Sequence, residues 1–154
     1  PSVGIAGGRS EDLDATPQMC CFRFPNAVNE VLGYIGLGVL DRLFHRHLTR
    51  LGIPEQPIEG DWVSGAFMLV RKAVIDDIGL MDEAYFLYCE ETDFARRAQR
   101  AGWRCWHVPQ SRVVHLVGQS SGVTVRGRRP DRVPSYWFES RRRYFVLNHG
   151  RLYT

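Results

Sequence analysis

Three carboxylates, Glu90, Glu91 and Asp93, stand where the aromatic run Phe86-Leu-Tyr-Cys89 gives way to a helical pattern over Thr92–Ala101. Carboxylates in the first turn of a helix face unpaired backbone N–H groups and the positive end of the dipole, so they are expected to be ionised. Held on a rigid element at the lip of a sheet, such a group can act as a general base toward a hydroxyl. It can equally serve as a helix cap, and the local sequence leaves both roles open. Asp93 precedes Arg97 by four residues, a spacing that fits an ion pair along one helix face. His115 closes the apolar stretch Val113-Val114 as a lone imidazole, the kind of residue that either ligates a metal or serves structure.

Ser64-Gly65-Ala66 interrupts the apolar run Trp62–Val70. Small residues inside a strand often mark a place where another backbone or a ligand comes close. Trp62 offers a flat apolar face that suits either a sugar ring or a hydrophobic core.

The elements that must position these groups follow from periodicity and punctuation. Residues 3–6 read as a short strand ended by Gly7-Gly8, and Gln18–Phe24 as an extended segment stopped by Pro25. Asn26 can cap a helix reaching about Arg50, with Val28, Val31, Ile35 and Val39 at helical spacing and Gly33, Gly36 and Gly38 weakening it. Residues 72–79 read as a short helix. Thr92–Ala101 is predicted as a helix with Phe94, Ala98 and Ala101 facing inward and Gly102 as its stop. Arg104–Val108 and Val113–Val117 are predicted as two short strands around Pro109, Gly118–Pro134 as a loop rich in Gly, Ser, Arg and Pro, and Ser135–Asn148 as a closing helix. Strands and helices so mixed predict an α/β fold with helices packed on a sheet.

Composition bounds the rest. The chain has 154 residues, 44% hydrophobic and 24% charged, with a net charge of +3, enough for one core or one layered half of a larger one. Four cysteines without a Cys-x-x-Cys pair read as reduced, buried thiols of a cytoplasmic protein. No apolar run reaches the length of a membrane span. Arginines cluster at Arg126–Arg132 and Arg141–Arg143, which suits phosphate, anionic head groups, an acidic surface or a plainly solvated face. The chain does not begin with Met, and Val3–Ala6 reads as a strand met in mid-fold, so a piece of a longer protein is expected.

Several stretches occur together in order: Trp62-Val-Ser-Gly-Ala-Phe-Met-Leu-Val-Arg71, Gly79-Leu-Met-Asp-Glu83, Phe86-Leu-Tyr-Cys-Glu-Glu-Thr-Asp93, Ala101-Gly-Trp103, Val108-Pro109 and Val113-Val-His115. This series resembles the C-terminal half of a family 2 glycosyltransferase of the GT-A fold, in the bacterial rhamnosyltransferase-like branch. The resemblance implies a partial GT-A fold with the N-terminal nucleotide-binding half missing. Residues 1–117 would form the acceptor-side catalytic half, 118–134 a flexible loop with Arg126, Arg128 and Arg129 near the diphosphate, and 135–154 an aromatic and Arg-rich helix. It further implies inverting transfer of a sugar, rhamnose from dTDP-rhamnose in that branch, from a nucleotide diphosphate donor to a hydroxyl. The acceptor would be a lipid-linked surface polysaccharide at the inner face of the cell membrane, with a peripheral membrane-surface contact.

The site residues carry over position by position. In the resembled family a Glu-Asp pair opens the helix and its second member is the base. Here the pair is Glu90-Glu91, so Glu91 takes the base position, one methylene longer than Asp, with Glu90 as its stand-in. Ser64, Gly65 and Ala66 match the small-residue patch beside sugar and acceptor, and Trp62 and Asp93 join them as substrate-binding residues. His115 matches a ligand of a divalent cation, Mn²⁺ or Mg²⁺, that bridges the diphosphate. Asp12-Leu-Asp14 has the letters of the family's Asp-x-Asp motif but follows a polar stretch and reads as coincidence.

Two other classes remain in view. One is a non-catalytic carbohydrate- or nucleotide-binding remnant. The other is a basic nucleic-acid binding module, suggested by Tyr136, Trp137, Tyr144 and Phe145 interleaved with Arg141–Arg143. No nucleic-acid motif accompanies those residues, so no nucleic-acid partner is expected.

Overall fold

Glycines decide how the central strand is built. In the computed structural model, which describes residues 2–35, 49, 51–116 and 133–154, strand β1 (Val3–Glu11) does not end at Gly7-Gly8 but runs through both. A Cβ on Gly7 would lie 2.6 Å from Val63 Cβ, and one on Gly8 would lie 2.2 Å from Phe67 Cε1. The missing side chains let the segment Val63–Phe67 sit directly on the strand. Glycine here marks close approach rather than a strand end.

β1 is flanked on both sides. The remaining strands are β2 (Cys21–Phe22), β3 (Ile58–Gly60), β4 (Trp62–Val63), β5 (Met68–Val70) and β6 (Arg104–Val114). Four of them form a mixed sheet in the order β3-β6-β1-β5, and β2 pairs with β4 in a separate two-stranded ladder. β1 runs parallel to β6 and antiparallel to β5. The two strands expected around Pro109 are one. Pairing jumps from Gly8↔Val108 to Arg9↔Arg112, so Pro109, Gln110 and Ser111 are absorbed in an irregularity and the ladder resumes beyond it. Proline lacks the N–H that a regular ladder needs, and a bulge accommodates it.

The helices are α1 (Ala27–Ile35), α2 (Lys72–Ile78), α3 (Glu90–Arg100) and α4 (Ser135–His149). Asn26 caps α1 as its sequence suggests: Asn29 N–H donates to Asn26 Oδ1 at 3.1 Å, and Asn26 N–H donates to Asn29 Oδ1 at 2.8 Å. The continuation of that helix to Arg50, the 118–132 part of the loop with its arginines, and His45 and His47 lie outside the described residues.

The core gathers Ile5, Cys21, Val63 and Cys105 from the strands, Val74 from α2, and Phe94, Ala95 and Ala98 from α3. Ala101 is exposed instead of inward-facing, because α3 ends at Arg100 and Gly102 takes φ +91° to turn the chain away. Truncating Phe94, which is 2% exposed, would cost about 3–5 kcal/mol by the usual size of such cavities. α4 is tied to the loop before α3 by side chains: Ser140 Oγ donates to Leu87 O at 2.9 Å, and Arg143 Nε donates to Asp82 Oδ2 at 3.0 Å. The fold is thus α/β, a mixed sheet with helices packed against it.

Candidate functional site

The carboxylate corner is fixed by an unusual backbone. Tyr88 and Cys89 both take φ +70°, left-handed values that cost a non-glycine residue of the order of 1–3 kcal/mol each. The two turns swing the chain so that α3 begins at Glu90, and Cys89 O accepts the Asp93 N–H at 2.8 Å. All three carboxylates therefore occupy the first turn of α3, as expected.

Their environments differ. Glu91 lines a cavity of about 260 Å³ together with Phe22, Trp62, Tyr88, Trp137 and Arg141. Its Oε2 is buried without a hydrogen-bond partner among the described residues. Burial, and secondarily the charge of Glu90, push its pKa up to about 7, against the pull of backbone N–H groups at Glu91, Gly65 and Thr92. The expectation of an ionised group held by the helix end is corrected for this residue: desolvation outweighs the N-terminal N–H groups. Glu90 also has a buried, unpartnered Oε2 among the described residues.

Asp93 turns inward. It is 5% exposed, Arg97 Nε donates to its Oδ2 at 3.0 Å, and Asn148 Nδ2 donates to its Oδ1 at 3.2 Å. Arg97 then reaches the carbonyls of Ile78 and Leu80, both at 2.8 Å. The i,i+4 spacing with Arg97 is realised, and Asp93 has both oxygens engaged by protein groups.

Ser64-Gly65-Ala66 forms a turn between β4 and β5, not the interior of one strand. Gly65–Phe67 is a single 3₁₀ turn, with Ser64 Oγ accepting the Ala66 N–H at 3.3 Å. A Cβ on Gly65 would meet Glu91 Oε1 at 3.8 Å, so the small-residue patch abuts the carboxylate. Trp62 is half-buried, stacked on Phe22 with ring centroids 4.3 Å apart, and its Nε1 donates to Arg23 O at 3.0 Å. It is anchored on one side and lines the cavity on the other. Trp137 and Arg141 line the same cavity, and the Arg141 guanidinium lies 4.4 Å from the Trp137 ring centroid and pairs with Glu30. Arg141 and Glu30 carried no site signal of their own in the sequence. Arg141 belonged to a basic run that suits any anionic surface, and its partner is 111 positions away.

His115 sits at the far end of the β1/β6 pairing, where its N–H donates to Glu11 O at 2.9 Å. Its Nδ1 lies 2.9 Å from Gln18 Oε1. Among the described residues no group of three or more His, Cys, Asp or Glu is arranged to hold a metal ion. His115 therefore stands as a lone imidazole among the described residues, with no carboxylate or second histidine grouped with it as a cation site. Asp12 and Asp14 serve the turn after β1: Asp12 Oδ1 accepts from Gln18 Nε2 at 2.8 Å, and Asp14 Oδ1 from Thr16 N at 3.0 Å. His107 is 1% exposed, beside Cys20 Sγ at 3.8 Å, and burial lowers its pKa. The four cysteines are free, and burial pushes the Cys21, Cys89 and Cys105 thiols up to about 12, so they stay protonated. Among the described residues no helix is long and apolar enough to cross a membrane.

Residues 37–130 match the pattern described as glycosyltransferase-like family 2. That is more than half of the chain, and the protein belongs to this family. Over 73 residues it is 38% identical to the N-acetylglucosaminyl-diphospho-decaprenol L-rhamnosyltransferase of Mycobacterium tuberculosis, in strains CDC 1551 / Oshkosh and H37Rv alike. The match takes in 47% of this chain and 23% of the mycobacterial relatives. Over 74 residues it is 35% identical to the rhamnosyltransferase WbbL of Escherichia coli strain K12, taking in 46% of this chain and 28% of that protein. The chain thus spans well under two thirds of these relatives. With the family in hand, the mixed sheet flanked by helices is part of a GT-A fold.

Proposed function

We propose that the chain carries the acceptor side of an inverting glycosyltransferase and that Glu91 is its general base. The observation that supports this most is the state of Glu91: a carboxyl on a cavity wall, one oxygen without a partner among the described residues, its pKa raised to about 7. A base with a pKa near the working pH combines an available carboxylate with enough basicity to take a hydroxyl proton. In the proposed step the acceptor oxygen attacks the anomeric carbon as its proton passes to Glu91. The bond from that carbon to the diphosphate oxygen breaks, with inversion.

Gly65 leaves room beside the carboxylate, and Trp62 offers its face to a sugar ring. Glu90, one position earlier, is the stand-in base. Asp93, with both oxygens engaged, acts by holding Arg97 and α4 and not by touching substrate. A divalent cation, Mn²⁺ or Mg²⁺, belongs to the proposal with His115 as one ligand; when bound it would offset the negative charge of the diphosphate.

The names of the relatives suggest the substrates. A nucleotide diphosphate rhamnose is the proposed donor and a polyprenyl-diphosphate-linked glycan the proposed acceptor. Such an acceptor puts the enzyme at the inner face of the membrane as a peripheral protein. The test is sugar transfer from dTDP-rhamnose by the full-length protein, with Glu91→Gln and Glu90→Gln variants. A loss of about a hundredfold or more for Glu91→Gln, with folding retained, is expected. A near-wild-type rate in Glu91→Gln and a collapse in Glu90→Gln would move the role to Glu90.

A further inference from the structure

Charges along the Glu91 cavity cancel in a way that bears on its occupant. Three charged side chains line it: Glu30 from α1, Glu91 from α3 and Arg141 from α4. Arg141 Nη2 donates to Glu30 Oε2, and both side chains are only 24% exposed, so their charges offset each other with little screening by solvent. The cavity then carries no net charge when Glu91 is protonated and a single negative charge when it is ionised. A phosphate or carboxylate finds no unmatched cation there and is repelled once the base is ready to act. The walls are aromatic: Trp62 on β4, Tyr88 before α3 and Trp137 on α4. A guanidinium holds five N–H donors in a planar fork, so the bond from Arg141 to Glu30 leaves donors for hydroxyl oxygens. Flat apolar faces beside a fixed polar pair match the two kinds of surface on a pyranose, its C–H face and its hydroxyls. At about 260 Å³ the cavity lies below the usual range of ligand pockets, about 300–1,000 Å³, and suits one ring rather than an oligosaccharide.

We propose that Trp137 and the Glu30–Arg141 pair form the acceptor-sugar subsite of this cavity and select an uncharged pyranose over one that bears a carboxylate or phosphate. The inference rests on the function proposed above, in which Glu91 receives the acceptor hydroxyl; it adds the class of sugar admitted and the residues that decide it. Glu30 is the selecting group. It occupies Arg141, which without it would draw a carboxylate into a bidentate pair. The diphosphate of a lipid-linked acceptor then lies outside the cavity. Trp137 and Arg141 stand on the helix that also holds the loop before Glu91, through Ser140 and Arg143, so the sugar wall and the base are set by one element.

The test is a saturation-transfer NMR titration of the full-length protein, held in saturating dTDP, with methyl glycosides of glucose, galactose, mannose and N-acetylglucosamine. Each is paired with its counterpart carrying a carboxylate at C6. At least one neutral glycoside should bind, and its carboxylate counterpart should bind about tenfold or more weakly. Glu30→Gln should erase or reverse that preference, because it frees the Arg141 guanidinium for the carboxylate. Trp137→Ala should weaken the neutral glycoside about tenfold and Trp137→Phe much less, with dTDP affinity unchanged in every variant as the check on folding. The proposal is overturned if no glycoside binds, if wild type takes the carboxylates equally well, or if Glu30→Gln keeps the wild-type preference. Where a variant fails to fold, the wild-type preference still decides. Because the readout is binding, it stands apart from the role of Glu91. An intact preference with near-wild-type transfer in Glu91→Gln would sink the base alone, and a missing preference with Glu91→Gln inactive would sink this inference alone.

Discussion

Gly65 lies against Glu91: a Cβ added to the glycine would stand 3.8 Å from both Glu91 Cβ and Oε1. The turn between β4 and β5 and the first turn of α3, 26 positions apart in sequence, meet at van der Waals distance there. The Gly65 N–H is also one of the groups that hold the Glu91 carboxyl down.

A methyl group at Gly65 would fit at ordinary contact distance, whereas a longer side chain would reach into the space beside the carboxyl. Gly65→Ala is expected to unfold within about 1 kcal/mol of wild type by urea denaturation. Gly65→Leu should fold but lose about tenfold or more in kcat/KM for sugar transfer, measured in the full-length protein, since the acceptor and the introduced isobutyl group would compete for one volume.

The raised pKa of Glu91 makes stability depend on pH in a defined sense. The group is pushed from an ordinary value near 4.5 to about 7 in the fold. A raised folded pKa means the folded state holds the proton more tightly than the unfolded chain. The associated stability is fully present below about pH 4.5 and is lost as pH rises through 7. Glu91→Gln removes the buried charge. The variant should match wild type at pH 4 and exceed it by roughly 2–3 kcal/mol at pH 8, by urea unfolding at the two pH values. The same substitution should slow transfer about a hundredfold or more, so greater stability and lost activity would arise from one substitution. In the wild type, kcat/KM should rise through about pH 7 as the base ionises.

Asp93 joins Arg97 on its own helix to Asn148 on α4. Removing the carboxylate would leave a mostly buried guanidinium without its counter-charge. Asp93→Ala is expected to cost about 3 kcal/mol, and Asp93→Asn less because one acceptor oxygen remains. A double-mutant cycle with Arg97→Ala should give a coupling of about 1 kcal/mol or more. Additive losses would show that the two groups act separately.

Much of the corner was legible in the chain itself. The run Cys89-Glu-Glu-Thr-Asp93 before a 3.6-residue pattern placed the start of α3 within two residues, at Thr92 where the helix opens at Glu90, Gly102 located its stop, and the i,i+4 spacing of Asp93 and Arg97 foretold their pairing. The ordered motifs from Trp62 to His115 identified the family. Each of these signals is local or depends on residue order, and so survives in a linear string. Other features were not legible. Tyr88 and Cys89 are not residues that announce left-handed backbone, and the loop they end is held to α4 by Ser140 and Arg143, more than fifty positions further on.

The sequence by itself determined the elements and the residues that stand on them: an α/β fold, a helix opening on carboxylates, a small-residue patch and a histidine just beyond a strand end. Tertiary structure alone decided how each group behaves. Glu90, Glu91 and Asp93 lie within four positions, yet one lines a cavity with a pKa near 7 and another is engaged on both oxygens in the interior. Gly7-Gly8 became the middle of the central strand because Val63 and Phe67 press on it from elsewhere in the chain. His115 met Gln18 across 97 positions. Desolvation, close approach and hydrogen-bond partnership depend on which distant segments share a volume, and the chain settles that only by folding.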